Sequence, residues 1–242
     1  MNNIISIGPF LIKYTLIVTI IGGLIGYLFL SLQIKKMNMD KRLITDIVLG
    51  ALIVYLIIWK FGDLLFNPNI LWTSPQSILY LNGSEKTTTI GIVFSVLYLF
   101  YKIKRHDIGS YQFMDLLPYG VLPFLLVYNL AVPSYGNKTN LPWGISISDS
   151  TVNYHPLNYY LVIITSCLLI LLKMGKGNFK TDLHFSKTAI VLGATGVLLS
   201  YLAPLDIKII GLSYGQLFSI VLLLTGFTIT NKVRSPVENG SK

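Results

Sequence analysis

The chain contains about seven apolar runs that recur from one end to the other, and most are long enough to cross a lipid bilayer as a helix. They cover residues 10–32, 43–66, 89–101, 112–131, 157–172, 188–204 and 214–230. The third and the fifth run fall short of the usual length of about 20 residues. Only 12% of the residues are charged, against about a quarter in a typical soluble domain. We therefore predict an all-α integral membrane protein with about seven transmembrane helices.

Lysine and arginine residues are distributed very unequally between successive loops. One set of loops, together with the C-terminal end, carries Lys35, Lys36, Lys41, Arg42, Lys102, Lys104, Arg105, Lys173, Lys176, Lys180, Lys187, Lys232, Arg234 and Lys242. The other set carries Lys86, Lys138 and Lys208. Because positively charged loops are retained in the cytoplasm, we predict that the first set is cytoplasmic. An odd number of spans then places the N-terminus outside the cell and the C-terminus in the cytoplasm.

The polar stretches between the apolar runs are too short to form a second hydrophobic core. We therefore predict a single polytopic membrane domain over residues 1–234, followed by a disordered cytoplasmic tail over residues 235–242. The basic loops of this topology account for the formal net charge of +9. The charge therefore gives no reason to expect a nucleic-acid partner.

Two long loops on the predicted outer side, residues 67–88 and 132–156, are rich in proline and aromatic residues. They contain Trp72 and Trp143, and tryptophan favours the headgroup region of a bilayer. We therefore expect any chemistry of the protein at this face.

Ionisable side chains inside the predicted spans are functional candidates, because each is costly to place in a membrane. They are Lys13, Asp46, Lys60, Asp63 and Asp115. Asp46 and Asp115 stand near cytoplasmic helix ends, where we expect them to cap a helix or to meet headgroup water. Lys13 can extend to the outer interface. Lys60 and Asp63 are spaced to pair on one helical face, so either this pair orients two helices or Lys60 binds a lipid phosphate.

His155 stands before Pro156 at the outer entrance to the fifth span. There it can act as a general base near neutral pH, or it can be a capping residue that only forms hydrogen bonds. The other histidines, His106 and His184, lie in basic loops and are expected to be solvated. Cys167 lies inside an apolar run and is expected to be a buried, unreactive thiol.

The sequence contains no HExxH zinc motif, no P-loop and no GxGxxG stretch. Its single cysteine provides neither a disulfide framework nor the spacing of a zinc site. We therefore predict no metal and no cofactor.

Segments spread over most of the chain follow the pattern of a known family. They are IGPFLIKY at residues 7–14, KFGDLLF at 60–66, LPWG at 141–144, His155-Pro156 followed by Tyr160, and SYGQL at 213–217. Taken in order, they resemble the bacterial prolipoprotein diacylglyceryl transferases. That family moves a diacylglyceryl group from phosphatidylglycerol to the thiol of a lipobox cysteine during lipoprotein maturation, and it expels glycerol phosphate.

The resemblance implies a multi-pass protein of the bacterial plasma membrane. Its implied partners are phosphatidylglycerol or another phospholipid, the prolipoprotein signal peptide and membrane lipids. The implied catalytic residues are Tyr14 and His155, and the implied substrate-binding residues are Lys60, Asp63, Trp143 and Tyr160. A leaving phosphate and a nascent thiolate require a cation and a base in a site that excludes water.

The chain also departs from the family pattern at several positions. Lys86-Thr87-Thr88 stands where the family has His-Gly-Gly, and Leu161 follows Tyr160 where a glutamate is expected. The family signature Gly-Arg-x-Gly-Asn-Phe would fall between Phe124 and Gly136, a stretch that contains no arginine and no glutamate. Residues 188–203 contain no charge where the family has later Arg and Glu residues.

Three interpretations follow from these matches and departures. The chain is a divergent diacylglyceryl transferase, or it is a catalytically inactive family member that binds phospholipid or a partner membrane protein. A small transporter is the third interpretation, which the intramembrane charges suggest. The absence of an internal repeat and of paired broken helices speaks against it.

Overall fold

Helices make up most of the chain in a computed structural model that describes residues 4–7, 10–37, 39–73, 84–147, 151–174, 183–204 and 211–238. The helices are α1 (Tyr14–Lys36), α2 (Lys41–Phe66), the short α3 (Ile70–Thr73), α4 (Glu85–Arg105), α5 (Ser110–Ala131), α6 (Leu157–Met174), α7 (His184–Leu202) and α8 (Tyr214–Glu238). The strands are β1 (Ile4–Ile7), β2 (Phe10–Lys13), β3 (Tyr135–Thr139), β4 (Ile145–Ser146) and β5 (Asn153–Pro156).

Six helices in the described part of the chain are long and apolar enough to cross a membrane. This confirms the prediction of a mostly helical, multi-pass membrane protein. The long helix outside this set is α4, which has charged residues at both ends. Its 21 residues span about 30 Å, so the expected third span at 89–101 was too short. The charges end the apolar run but not the helix. Which end of the chain lies outside the cell stays a prediction.

The first helix begins later than the apolar run that predicted it. The expected span started at residue 10, whereas Phe10–Lys13 is strand β2 and pairs antiparallel with β1, with Ile4 opposite Lys13. Helix α1 starts at Tyr14. An apolar run rich in β-branched residues suits a strand as well as a helix, so periodicity alone did not separate the two. Lys13 therefore precedes the helix.

By internal contacts the chain divides into two compact units. One combines Met1–Gln33 with Met114–Lys242, and the other is Ile34–Phe113. The single membrane domain over residues 1–234 stays a prediction. Helix α8 ends at Glu238, past residue 235 at which the disordered tail was expected to begin, and residues 239–242 lie outside the described residues.

In the 34–113 unit, α2 and α4 pack as an antiparallel pair through small residues. A Cβ atom added to Gly62 would stand 2.8 Å from Cγ2 of Thr87, which is fully buried. The Ser95 hydroxyl donates a hydrogen bond of 3.0 Å to the Ala51 carbonyl. Small side chains and hydroxyl groups let membrane helices approach closely in this way.

In the other unit, polar side chains connect α7 to α8. Ser213 and Gln216 form a capping box, because the Gln216 N–H donates to Oγ of Ser213 and the Ser213 N–H donates to Oε1 of Gln216. Nε2 of Gln216 then donates to Oγ of Ser200 on α7 at 3.0 Å. The Ser186 hydroxyl donates to the Gly226 carbonyl on α8. The SYGQL segment thus starts α8 and attaches it to its neighbour.

Asp115 on α5 caps the N-terminus of α7. Its Oδ1 atom accepts a hydrogen bond of 2.8 Å from the Phe185 N–H. The residue at the N-cap position of α7 is Leu183, which offers no side-chain acceptor. The first N–H groups of a helix need acceptors, and a carboxylate also suits the positive end of the helix dipole. The expectation that Asp115 caps a helix is confirmed.

Two sequence-based expectations about burial were wrong. His184 was expected to be solvated, but it is buried as the first residue of α7 and its ring lies edge-on to that of Tyr119, with the centroids 5.7 Å apart. Cys167 was expected to be buried, but it lies on an exposed face of α6. An apolar run predicts a helix without showing which of its faces contacts protein.

Replacing Asp115 by alanine should lower the stability of the protein, because the Phe185 N–H would lose a buried acceptor. Removing a helix cap costs about 1–2 kcal/mol. Thermal unfolding in detergent should show a lower Tm for Asp115→Ala. Asp46→Ala is the matched control, since Asp46 is an exposed aspartate on α2. Equal Tm values for both variants would contradict the capping role.

The predicted orientation can be checked with single cysteines in a Cys167→Ser background. Asn140, after β3, and His106, after α4, are both exposed. In whole cells, a membrane-impermeant maleimide should label Asn140→Cys. It should label His106→Cys only after the membrane is opened. The reverse pattern would invert the topology.

Candidate active site

A three-stranded antiparallel sheet stands between the end of α5 and the start of α6. Its strand order is β3-β5-β4, with Thr139 opposite Asn153 and Ser146 opposite the same residue on the other side. Strand β5 runs directly into α6, since it ends at Pro156 and the helix begins at Leu157. His155 is therefore held one residue before the strand ends.

An irregularity in β3 attaches this sheet to α7. Tyr135 pairs with Pro156 and Lys138 pairs with Tyr154, so β3 has one more residue than β5 between these pairs. Such a bulge redirects side chains. The Asn137 amide donates to the Ala203 carbonyl at 3.2 Å, just past the end of α7. A Cβ atom on Gly136 would collide with the Leu202 carbonyl, so only glycine fits this approach.

The LPWG segment is a tight turn that presents Trp143. The Gly144 N–H donates to the Leu141 carbonyl at 3.0 Å, and the Leu141 N–H donates to Oγ1 of Thr139 at 3.2 Å. Pro142 occupies the second position of the turn, where its fixed φ is favourable. A Cβ atom on Gly144 would stand 2.8 Å from side-chain atoms of both Thr139 and Asn153, so the turn lies closely against β3 and β5.

The Tyr160 hydroxyl contacts two other residues that the sequence indicated, Trp143 and His155. Nε1 of Trp143 donates to it at 2.9 Å, and Nδ1 of His155 lies 3.1 Å from it. The rings of His155 and Tyr160 are 6.2 Å apart between centroids. Sheet, turn and helix thus each contribute one member of this cluster, and we call it the His155–Tyr160–Trp143 cluster.

The chemistry of the donors limits what this cluster can do. An indole N–H is a donor only, so the Tyr160 oxygen must accept from Trp143. When Nδ1 of His155 carries a proton, it can donate to the second lone pair of the same oxygen, and Nε2 then keeps its own lone pair. Such a histidine is oriented and able to accept a proton. The hydroxyl proton of Tyr160 stays available for another acceptor.

Two buried asparagines join α5 to α6 beside this cluster. Nδ2 of Asn158 donates to the Asn129 carbonyl at 3.1 Å, and Nδ2 of Asn129 donates to the Leu125 carbonyl at 2.8 Å. Asn158 is 3% exposed. Within the part of the chain that the structure describes, its Oδ1 atom has no hydrogen-bond partner. The pair keeps the first turn of α6, which carries Tyr160, attached to the end of α5.

A polar cleft of about 530 Å³ lies where β3 ends and β5 begins. Its lining residues are Lys138, Thr139, Asn140, Thr151, Val152 and Asn153. Thr139 and Asn153 also contact the LPWG turn, so the cleft adjoins the elements that hold the cluster. In the described residues, no group of His, Cys, Asp and Glu side chains is arranged to hold a metal ion.

The remaining residues indicated by the sequence belong to α1 and α2. Tyr14 is half-buried at the start of α1. Lys60 and Asp63 belong to the 34–113 unit. There the Ser84 hydroxyl donates to Oδ1 of Asp63 at 2.8 Å, a contact that the spacing of Lys60 and Asp63 did not suggest. The same hydroxyl accepts from the Thr87 N–H and so caps α4.

Sequence reasoning missed the short sheet, the Asn129–Asn158 pair and the contact of Asp63 with Ser84. Polar amides inside apolar runs were a usable signal for the asparagines, because a buried amide must be hydrogen-bonded. The sheet gave a weaker signal, since its strands are only two to five residues long. No local pattern reports which hydroxyl a distant carboxylate will meet.

Known proteins with related sequences cover nearly the whole chain. Phosphatidylglycerol–prolipoprotein diacylglyceryl transferase of Rickettsia typhi is 27% identical over an alignment that covers 96% of each chain. The protein of the same name from Rickettsia bellii is 24% identical over 95% of this chain and 94% of its own. That from Wolbachia pipientis of Culex pipiens is 25% identical over 93% and 92%. No protein-family model matches the chain.

Replacing Gly136 by alanine should disturb the attachment of the sheet to α7, because the new methyl group would collide with the Leu202 carbonyl. Overpacking of this kind costs about 1–3 kcal/mol, so the Tm should fall. Gly23→Ala is the control, because a Cβ atom there would meet nothing within 4 Å, and its Tm should stay level or rise. A Gly136→Ala protein as stable as the control would refute the close approach.

Proposed function

We propose that this chain, a distant homologue of the bacterial phosphatidylglycerol–prolipoprotein diacylglyceryl transferases over nearly its whole length, is itself a diacylglyceryl transferase of the bacterial plasma membrane. Its substrates are phosphatidylglycerol, or another phospholipid, and the lipobox cysteine of a prolipoprotein. The product carries a thioether between this cysteine and the diacylglyceryl group.

The observation that carries the proposal is the His155–Tyr160–Trp143 cluster. Tyr160 receives the Trp143 N–H and lies within hydrogen-bond distance of Nδ1 of His155. Among the described residues, no protein group is hydrogen-bonded to Nε2 of His155. A histidine oriented through one ring nitrogen and open at the other has the arrangement of a general base.

In the proposed reaction, Nε2 of His155 accepts the proton of the lipobox thiol. The sulfur then attacks the glyceryl carbon that bears the phosphate. A carbon–sulfur bond forms as the carbon–oxygen bond breaks, and the electron pair of the broken bond leaves on glycerol phosphate. The hydroxyl proton of Tyr160 is available to a phosphate oxygen, where it stabilises the charge that develops on the leaving group.

Three further residues belong to the proposal through the family resemblance. Tyr14 is proposed as a second catalytic hydroxyl. Lys60 is proposed to bind a lipid phosphate as a point charge, with Asp63 as its neighbour on α2. These two belong to the 34–113 unit, and Lys60→Ala tests their role independently of the cluster.

A second candidate function is phospholipid binding without catalysis. The uncharged stretch from Phe124 to Gly136 favours it, because the family has an arginine and a glutamate there. A neutral site stabilises a leaving phosphate less well than one with fixed cations. Lipid transfer in cells decides between the two candidates.

Expression of the chain in bacteria depleted of their own transferase should restore lipid labelling of a lipobox substrate. His155→Ala should lower the labelling rate about 100-fold or more, as expected for loss of a general base. Tyr160→Phe should lower it by a smaller factor, because the imidazole would lose its orienting partner. Lys60→Ala should also abolish labelling.

Tyr159→Phe is the matched control, since Tyr159 is exposed on the same turn of α6 and should keep full activity. Absence of labelling by the wild-type chain, with normal expression in the membrane, would refute the transferase and favour the binding protein. Full activity of both His155→Ala and Lys60→Ala would refute the proposed site.

A further inference from the structure

We propose that one end of the α2–α4 pair is a docking surface for the headgroups of anionic phospholipids. Helix α2 begins at this end and α4 finishes there, because the two helices are antiparallel. We call this surface the basic end, and it consists of the side chains of Lys41, Arg42, Lys102, Lys104 and Arg105. It belongs entirely to the 34–113 unit and takes no part in the proposed transfer reaction.

The packing of the two helices gives the basic end a firm base. The Tyr98 side chain of α4 occupies the space beside Gly50 of α2, where a Cβ atom would collide with it. The next turns towards the basic end contain Ile44, Ile47 and Ile103, each 4% exposed or less. The basic side chains are therefore carried by packed helix ends and not by a loose loop.

The cations of the basic end are not neutralised within the described part of the chain. All are exposed except Lys102, which is half-buried. Among the described residues, none of the five forms an ion pair with a carboxylate. Asp40 accepts from the Arg42 N–H as the N-cap of α2, while Asp46 and Asp107 are exposed. Five cations near three aspartates leave a net positive charge that can attract an anion.

Two tyrosines of α4 hold two of these cations in place. Nζ of Lys102 lies 5.7 Å from the centre of the Tyr98 ring, and the Arg105 guanidinium lies 5.9 Å from that of Tyr101. Nη1 of Arg105 also donates to the Tyr101 hydroxyl at 2.9 Å. This bond uses one of five guanidinium N–H donors, so others remain to bind a phosphate. Cations that are already ordered lose less conformational entropy when they bind an anion.

The surroundings of the basic end suit a phospholipid better than a soluble anion. Leu49 of α2 and Leu97 and Phe100 of α4 are exposed within a few turns of it, so the cations border on apolar helix faces suited to acyl chains. Tyrosine favours the headgroup region of a bilayer. Clusters of lysine and arginine directly beyond a membrane helix attract anionic lipids. On the predicted topology, these lipids belong to the cytoplasmic leaflet.

The basic end is separate from the lysine of the proposed transferase site. Arg42 and Lys60 are about 27 Å apart along α2, so one headgroup cannot contact both. The inference therefore does not depend on the proposed function.

Energy transfer to labelled lipids in phosphatidylcholine nanodiscs tests the inference with the purified full chain. In the Cys167→Ser background, a donor fluorophore on His106→Cys stands next to the basic end, since His106 is the exposed C-cap of α4. Phosphatidylserine with an acceptor on its acyl chain should reach half-maximal transfer at a lower mole fraction than phosphatidylcholine with the same acceptor. Lys102→Gln combined with Arg105→Gln should raise that mole fraction at least tenfold, because each cation near the membrane surface contributes about fivefold.

Two double variants serve as controls. Lys102→Arg with Arg105→Lys keeps both charges and should bind phosphatidylserine like the parent protein. Lys173→Gln with Lys187→Gln removes the same charge from exposed lysines outside the 34–113 unit, and it should also bind like the parent. Equal transfer from phosphatidylserine and phosphatidylcholine in the parent would overturn the inference. A preference for phosphatidylserine that persists in Lys102→Gln/Arg105→Gln, or that falls equally in both glutamine variants, would overturn it as well.

Discussion

The interior of a bilayer contains no water, so every backbone N–H and C=O group at that depth must be paired within the protein. The long helices satisfy this requirement internally. Irregular backbone and short strands are then confined to the ends of the helices, where water and side chains can complete their hydrogen bonds. The β3-β5-β4 sheet follows this rule, since it stands between α5 and α6 and its Asn137 supplies a donor to the last carbonyls of α7. The same constraint places the polar candidate site residues, His155, Trp143 and Tyr160, together at the sheet between α5 and α6.

Within this sheet, a single hydroxyl organises the candidate site. Tyr160 is placed by the first turn of α6, Trp143 by the turn that Pro142 and Gly144 shape, and His155 by the end of β5. Each of these elements is itself attached to a neighbour, so the cluster depends on contacts well outside it. In the proposed transferase, this preorganisation would reduce the cost of orienting His155 when substrate binds.

The departures from the family pattern also have a structural meaning. Thr87 stands in the segment where the family has His-Gly-Gly, and here it is fully buried against Gly62 and bonded to Ser84. Asn129 lies in the stretch where the family has an arginine, and its side-chain amide donates to the Leu125 carbonyl while its backbone carbonyl accepts from Asn158. Uncharged residues at these positions serve helix packing and avoid the desolvation cost of a buried cation. In the proposed transferase, a leaving phosphate would therefore be stabilised by hydroxyl groups and by lysines elsewhere in the chain, such as Lys60.

The sequence by itself determined that this is a mostly helical membrane protein and where most of its long apolar helices run, because apolar run length is a short-range property. Local motifs also singled out His155, Trp143 and Tyr160 as candidate site residues. It missed the β1–β2 hairpin, since an apolar run suits either a strand or a helix, and it misjudged the burial of His184 and Cys167, since a run does not show which face contacts protein. Only the tertiary structure decided that Tyr160 joins His155 to Trp143 and that Asp63 meets Ser84. Those contacts join residues that are separated along the chain, and their distances depend on how the helices and strands pack.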